Sequence, residues 1–137
     1  AMTGGQPNPG IPIDGMGDEA PEVSIRKVAA ACGCDYVRVI NPFNLEQVIK
    51  TYKEALERDD TAVIISKAPC TLIKGLTKKP PVNFIESNCN KCDKCVNELA
   101  CPAISKVGGK IEIDKSSCDG CGVCIQVCKY GALEVGK

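Results

Sequence analysis

A cysteine pattern that occurs twice limits this chain more than any other feature. Residues 118–128 read Cys-x2-Cys-x2-Cys-x3-Cys, with thiols at Cys118, Cys121, Cys124 and Cys128. Upstream stand Cys89, Cys92 and Cys95, then Cys101 followed by Pro102. Thiols two residues apart on a curling loop can converge on three corners of one centre, and a fourth at the start of the next turn points elsewhere. A disulfide framework explains this poorly. The chain has eleven cysteines, an odd number, and eight of them fall in two tight runs. A reducing, cytoplasmic setting is the expectation.

The consecutive two-residue steps suit cubic [4Fe–4S] clusters, in which the fourth cysteine of each run crosses to the other cluster. Two clusters are therefore expected. One takes Cys89, Cys92, Cys95 and Cys128; the other takes Cys118, Cys121, Cys124 and Cys101. Two structural zinc ions are the alternative, because zinc also accepts four thiolates, although zinc ribbons usually present two separated Cys-x2-Cys pairs. The runs depart from the bacterial pattern in two places. Five residues separate Cys95 from Cys101, and Cys128 is followed by Lys129 rather than proline. Four-thiolate clusters leave no open position for bond-making chemistry, so their role would be to carry electrons.

Composition narrows the remaining classes. Seventeen basic residues balance seventeen acidic ones, which gives no field for nucleic acid. Histidine is absent, removing the commonest general base. No apolar run approaches the ~20 residues of a membrane span.

The first 21 residues are rich in glycine and proline and read as a disordered loop. A helix is expected over residues 23–33, with Ile25, Val28, Ala29 and Cys32 on one face and Gly33 as its stop. Residues 36–40 read as a strand. Asn44 caps a second helix running to about Arg58, with Gln47 completing a capping box and Leu45, Val48, Ile49, Tyr52 and Leu56 as its apolar stripe. Residues 61–66 read as a strand buried on both faces. The result is an α/β piece whose apolar faces need partner strands. Beyond a proline-bearing connector at 74–82, strands are expected at 82–86, 104–107, 110–113 and 132–135, with Gly108 and Gly109 turning a hairpin. The expected domains are 1–73 and 83–137. Among the other cysteines, Cys32 is expected to be a buried, inert thiol. Cys34 and Cys70 fall at turn or strand-end positions, where a bound ligand could lie near them.

Residues 83–137 resemble the bacterial two-cluster ferredoxins throughout. The N-terminal half resembles the thiamine-diphosphate domain of 2-oxoacid:ferredoxin oxidoreductases. Residues 2–6 are similar to the loop after that domain's metal-binding motif, residues 28–43 to its closing helix and strand, and residues 62–70 to its last strand. A thiamine domain followed by a ferredoxin domain is the order found in the alpha (large) subunit of the indolepyruvate ferredoxin oxidoreductase branch. The resemblance covers all 137 residues, but only the C-terminal portion of such a subunit.

The resemblance implies an α/β fragment of a thiamine-diphosphate-binding parallel-sheet domain, followed by an α+β ferredoxin-like two-[4Fe–4S] domain. It implies Thr3, Gly4, Gly5 and Gln6 as cofactor-loop contacts; a free tail is the other reading of that stretch. The complete enzyme would use thiamine diphosphate and Mg2+, whose ligands lie before this loop, to decarboxylate an aryl 2-oxoacid. Electrons would pass to an external ferredoxin and the acyl group to coenzyme A, with a smaller beta subunit completing the assembly. A stand-alone ferredoxin-like carrier with a docking N-terminal segment is the alternative, and a zinc-stapled interaction module is a third reading.

Overall fold

Two β-branched runs form the frame of the N-terminal half. Strands β1 (Tyr36–Ile40) and β2 (Ala62–Ser66) pair in parallel, Tyr36 opposite Ala62 and Ile40 opposite Ser66. The computed structural model describes residues 9–71, 77 and 79–136. It divides into two compact units, residues 1–76 and 77–137.

Parallel neighbours need a crossover, which helix α2 (Leu45–Leu56) supplies. Asn44 Oδ1 accepts the Gln47 N–H at 3.0 Å, as an N-cap should. The expected reciprocal half of the box is displaced. The Asn44 N–H already donates to the Asn41 carbonyl, so Gln47 Oε1 instead accepts the Asn41 N–H at 3.0 Å and braces the strand-to-helix turn. Helix α1 (Ile25–Ala31) begins at Ser24, whose Oγ accepts the Lys27 N–H, and is followed by Gly33 at φ +89°.

The apolar faces that need partner strands are largely uncovered: Ile25, Val28, Ile49, Tyr52 and Leu56 are exposed, while the buried residue of α2 is Thr51. Two strands ~5 Å apart offer a helix ~10 Å across little more than one line of contact. Here Thr51 occupies that line, over the Tyr36 hydroxyl, which donates to Glu54 Oε2 at 3.0 Å. Two expectations for this unit need correction. With so narrow a sheet, β2 is half-buried over Ala62 to Ile65 rather than buried on both faces. Residues 9–23 form a closed turn rather than a disordered loop: Asp14 Oδ1 accepts the Met16 and Asp18 N–H groups, and the Val23 N–H donates to the Pro9 carbonyl.

The second unit contains one supersecondary pattern twice. Strand β3 (Asn83–Phe84), a cysteine loop, helix α3 (Lys94–Asn97) and strand β4 (Ile104–Val107) are followed by β5 (Lys110–Ile113), a cysteine loop, helix α4 (Val123–Val127) and β6 (Leu133–Glu134). β4 and β5 pair antiparallel across Gly108 and Gly109, whose φ values of +56° and +82° are those of a type I′ hairpin turn. β3 pairs antiparallel with β6. Both are shorter than the expected 82–86 and 132–135: a 3-10 turn begins at Glu86, and at the N-terminal ends the flanking donors turn to sulfur. The Val82 N–H donates to Cys118 Sγ at 3.4 Å and the Ala132 N–H to Cys128 Sγ at 3.3 Å. The core joins Val82, Ile104, Ile111, Cys124 and Leu133, with Cys89, Cys95, Cys101, Cys118 and Cys128 packed around it.

Candidate metal centre

The two cysteine loops share a backbone that the sequence partly conceals. Lys91 and Asp93 in the first loop have φ values of +60° and +58°. Gly120 and Gly122, at the matching steps of the second loop, have +63° and +76°. Left-handed residues between successive cysteines curl the chain, so that thiols two residues apart turn to the same side. Glycine adopts this conformation freely, whereas a residue with a side chain is strained by ~1–2 kcal/mol. Asp93 and Gly122 each serve as the N-cap of the short helix that follows. The two extra residues before Cys101 are accommodated by a further left-handed residue, Ala100 at φ +49°.

The second loop adds a steric demand. A Cβ on Gly120 would lie 2.5 Å from the Pro80 carbonyl oxygen and 2.8 Å from Lys79 Cβ, whereas one on Gly122 would meet nothing within 4 Å. Gly120→Ala should therefore cost about 2–4 kcal/mol, combining backbone strain with overpacking, and Gly122→Ala about 1–2 kcal/mol from strain alone. Thermal denaturation of the metal-loaded chain checks the order; equal midpoints for the two variants would contradict it.

The thiols stand in two groups. Cys89, Cys92, Cys95 and Cys128 line one cavity of about 390 Å³, its open mouth included, with Phe84, Ile111 and Leu133 among its walls. Burial pushes the Cys95 thiol up, and the charges of Cys89, Cys92 and Cys128 push the same way. Cys124 is pushed up to about 11, first by burial and then by Cys121, Cys101 and Cys118. Cys128 is thus electrostatically coupled to the first run and Cys101 to the second. Cys95 and Cys124 are thereby held in the thiol form when bare, and a cationic centre beside them would displace those protons. Among the described residues, no set of three or more His, Cys, Asp or Glu is placed to hold a metal ion.

Backbone donors complete the surroundings. Besides Val82 and Ala132, the Lys91 N–H donates to Cys89 Sγ at 3.4 Å. Such bonds favour negative charge on sulfur and tune the potential of a bound cluster. Sequence reasoning missed these three donors and the strained Lys91, Asp93 and Ala100. The glycines at 120 and 122 are the one signal that could have revealed the first loop's conformation.

The remaining candidates lie elsewhere. Thr3, Gly4, Gly5 and Gln6 are outside the described residues. Cys32, expected to be buried, is exposed at the end of α1, because the face it shares with Ile25 and Val28 is uncovered. Cys34 is half-buried just before β1, and Cys70 is exposed beyond the end of β2. All eleven cysteines are outside disulfides. No helix among the described residues is long and apolar enough to cross a membrane.

Comparison with known proteins agrees with this chemistry. Residues 110–133, which include the second cysteine run, match the family described as a 4Fe-4S binding domain. The chain is 46% identical to the indolepyruvate oxidoreductase subunit IorA of Methanothermobacter marburgensis over 98% of its length. The IorA of Methanothermobacter thermautotrophicus matches at the same identity and coverage. That of Archaeoglobus fulgidus is 34% identical over 99% of the chain. In each case the chain spans 22% of the relative's length. Over the portion of those subunits that it spans, the chain is similar to the IorA subunits of indolepyruvate oxidoreductases, and its residues 110–133 match a 4Fe–4S binding domain.

Proposed function

We propose that this chain is the electron-transfer end of an oxidoreductase that acts on indolepyruvate or a related aryl 2-oxoacid. It would hold two [4Fe–4S] clusters, one on Cys89, Cys92, Cys95 and Cys128 and the other on Cys118, Cys121, Cys124 and Cys101. The observation that carries this is the four-thiol cavity, in which a cysteine from the second run joins three from the first. The residues present fit the group: each set offers four thiols and a backbone N–H donor to sulfur, and the first has apolar walls in Phe84, Ile111 and Leu133. When bound, such clusters store and release single electrons. The chain's own part is to hold them by cross-ligation, to shield Cys124 from water, and to aim the Val82, Lys91 and Ala132 amides at sulfur.

Residues 1–73 are assigned to the C-terminal part of a thiamine-diphosphate domain, 74–82 to a connector and 83–137 to the ferredoxin-type domain. The exposed apolar faces of α1 and α2 support the first assignment, since a larger parallel sheet would cover them. In the complete enzyme, thiamine diphosphate and Mg2+ would be bound with help from Thr3, Gly4, Gly5 and Gln6. A smaller beta subunit, coenzyme A and an external ferredoxin would be the partners, in the cytoplasm.

The zinc and cluster readings separate on composition. The anaerobically reconstituted chain should carry about eight iron and about eight acid-labile sulfide, with visible absorption that bleaches on reduction. Stoichiometric zinc with no labile sulfide would overturn the proposal.

A further inference from the structure

We propose that the face around Cys92 is where this chain exchanges electrons with a small acidic carrier protein, steered there by Lys91, Lys94 and Lys129. This rests on the cluster reading above and adds which cluster meets the outside and what kind of partner meets it.

Exposure distinguishes the two thiol groups. Of the eight thiols in the two runs, Cys92 is the exposed one; Cys124 is buried and the other six are half-buried. The second loop is roofed by the chain's own Lys79 and Pro80, which leave no room for a side chain on Gly120. In the first loop, Asn90, Lys91 and Cys92 are all exposed. A redox centre reaches a partner protein through its least covered corner, and that corner here is Cys92.

Basic groups outnumber acidic ones around that corner. Lys94 lines the cavity, and Lys91 and Lys129 each sit between two residues that line it, Asn90 and Cys92 for the first, Cys128 and Tyr130 for the second. Asp93 is the one carboxylate among the lining residues, and the Lys106 ammonium engages it. Lys94 is matched by Glu98 at 3.5 Å, a solvent-exposed pair. Among the described residues no carboxylate forms an ion pair with Lys91 or Lys129. The second thiol group, Cys118, Cys121, Cys124 and Cys101, has Gly120 and Pro102 at the matching places. Lys129 thus stands where the bacterial pattern has proline, which gives that departure a role. Tyr130, 52% exposed, supplies an aromatic contact beside the lysines. A small aromatic centre with a basic rim suits a transient electron-transfer contact, in which charge sets orientation and encounter rate more than affinity. With a cluster bound by Cys89, Cys92, Cys95 and Cys128, the step would be outer-sphere: the reduced cluster would supply one electron to the oxidised carrier. No bond forms or breaks and no proton moves.

The test uses the full chain loaded with iron and sulfide, and an acidic bacterial ferredoxin as the probe. The double variant Lys91→Glu/Lys129→Glu should slow association with the probe roughly tenfold at low ionic strength, with the gap closing as salt is added. Lys53→Glu, on the other unit, should change it less than twofold. Carbodiimide coupling of the probe's carboxylates should map to Lys91 or Lys129. Unchanged association of an iron-loaded double variant, or coupling confined to Lys79 and Lys115, would overturn the surface. A chain that loads no iron and sulfide would instead overturn the cluster reading on which it rests.

Discussion

Replacing Cys128 with alanine should empty the site built on the other cysteine run and spare the one built on its own. Cys128 lies in the cavity with Cys89, Cys92 and Cys95, whereas Cys124, four residues before it, is coupled to Cys121, Cys101 and Cys118. Iron should fall from about eight to about four per chain, the content of a single [4Fe–4S] cluster. Alkylation of the folded protein shows which half is lost. Cys89, Cys92 and Cys95 should become reactive, while Cys101, Cys118, Cys121 and Cys124 stay protected by ligation. Labelling of Cys118, Cys121 and Cys124 instead would show that each run binds its own cluster. Cys128→Ser should give the same labelling pattern, with partial retention of iron if the hydroxyl ligates weakly.

Stripping the metal should melt the second unit altogether. Its helices are four and five residues long and two of its strands are two residues each. Five residues form its buried core, one of them the thiol Cys124. An isolated core of this size contributes only a few kcal/mol, whereas a structural metal bound by thiolates contributes ~10 kcal/mol or more of folding free energy. Hydrogen exchange on the full chain before and after anaerobic chelation should show amide protection collapsing across residues 82–136. The β1–β2 ladder should keep its protection, because none of its hydrogen bonds involves a thiol of the second unit. Protection of β4 and β5 that survives complete removal of iron would contradict this account.

Local signals were the readable ones. The Gly108–Gly109 hairpin, the Asn44 cap and the parallel pair of apolar strands follow from short stretches, and each stands where its own residues put it. The repeated cysteines likewise marked the thiols that the second unit gathers around its core. Less legible was anything decided by a distant surface. The α2 stripe announced a face in need of partner strands, but not that Thr51 would be its buried residue while Ile49, Tyr52 and Leu56 point outward, the sheet beneath being two strands wide among the described residues. Helical periodicity reports that a face is apolar, not which neighbour is there to cover it. Strand ends at 82 and 132 were overestimated because apolar runs do not reveal that their amides serve sulfur. Lys91 and Asp93 hid a left-handed loop that the glycines of the second run display openly.

The pairing of β3 with β6 has a consequence for how this unit can be built into proteins. Its first strand lies against its last, and a side chain on Gly136 would run into the Pro81 carbonyl. Entry and exit of the chain are therefore side by side, and the unit closes on itself like a ring with one gap. A module of that kind can be appended to a host chain, inserted within one, or opened at the Gly108–Gly109 turn and rejoined at its natural ends. None of these changes would alter which thiols face one another.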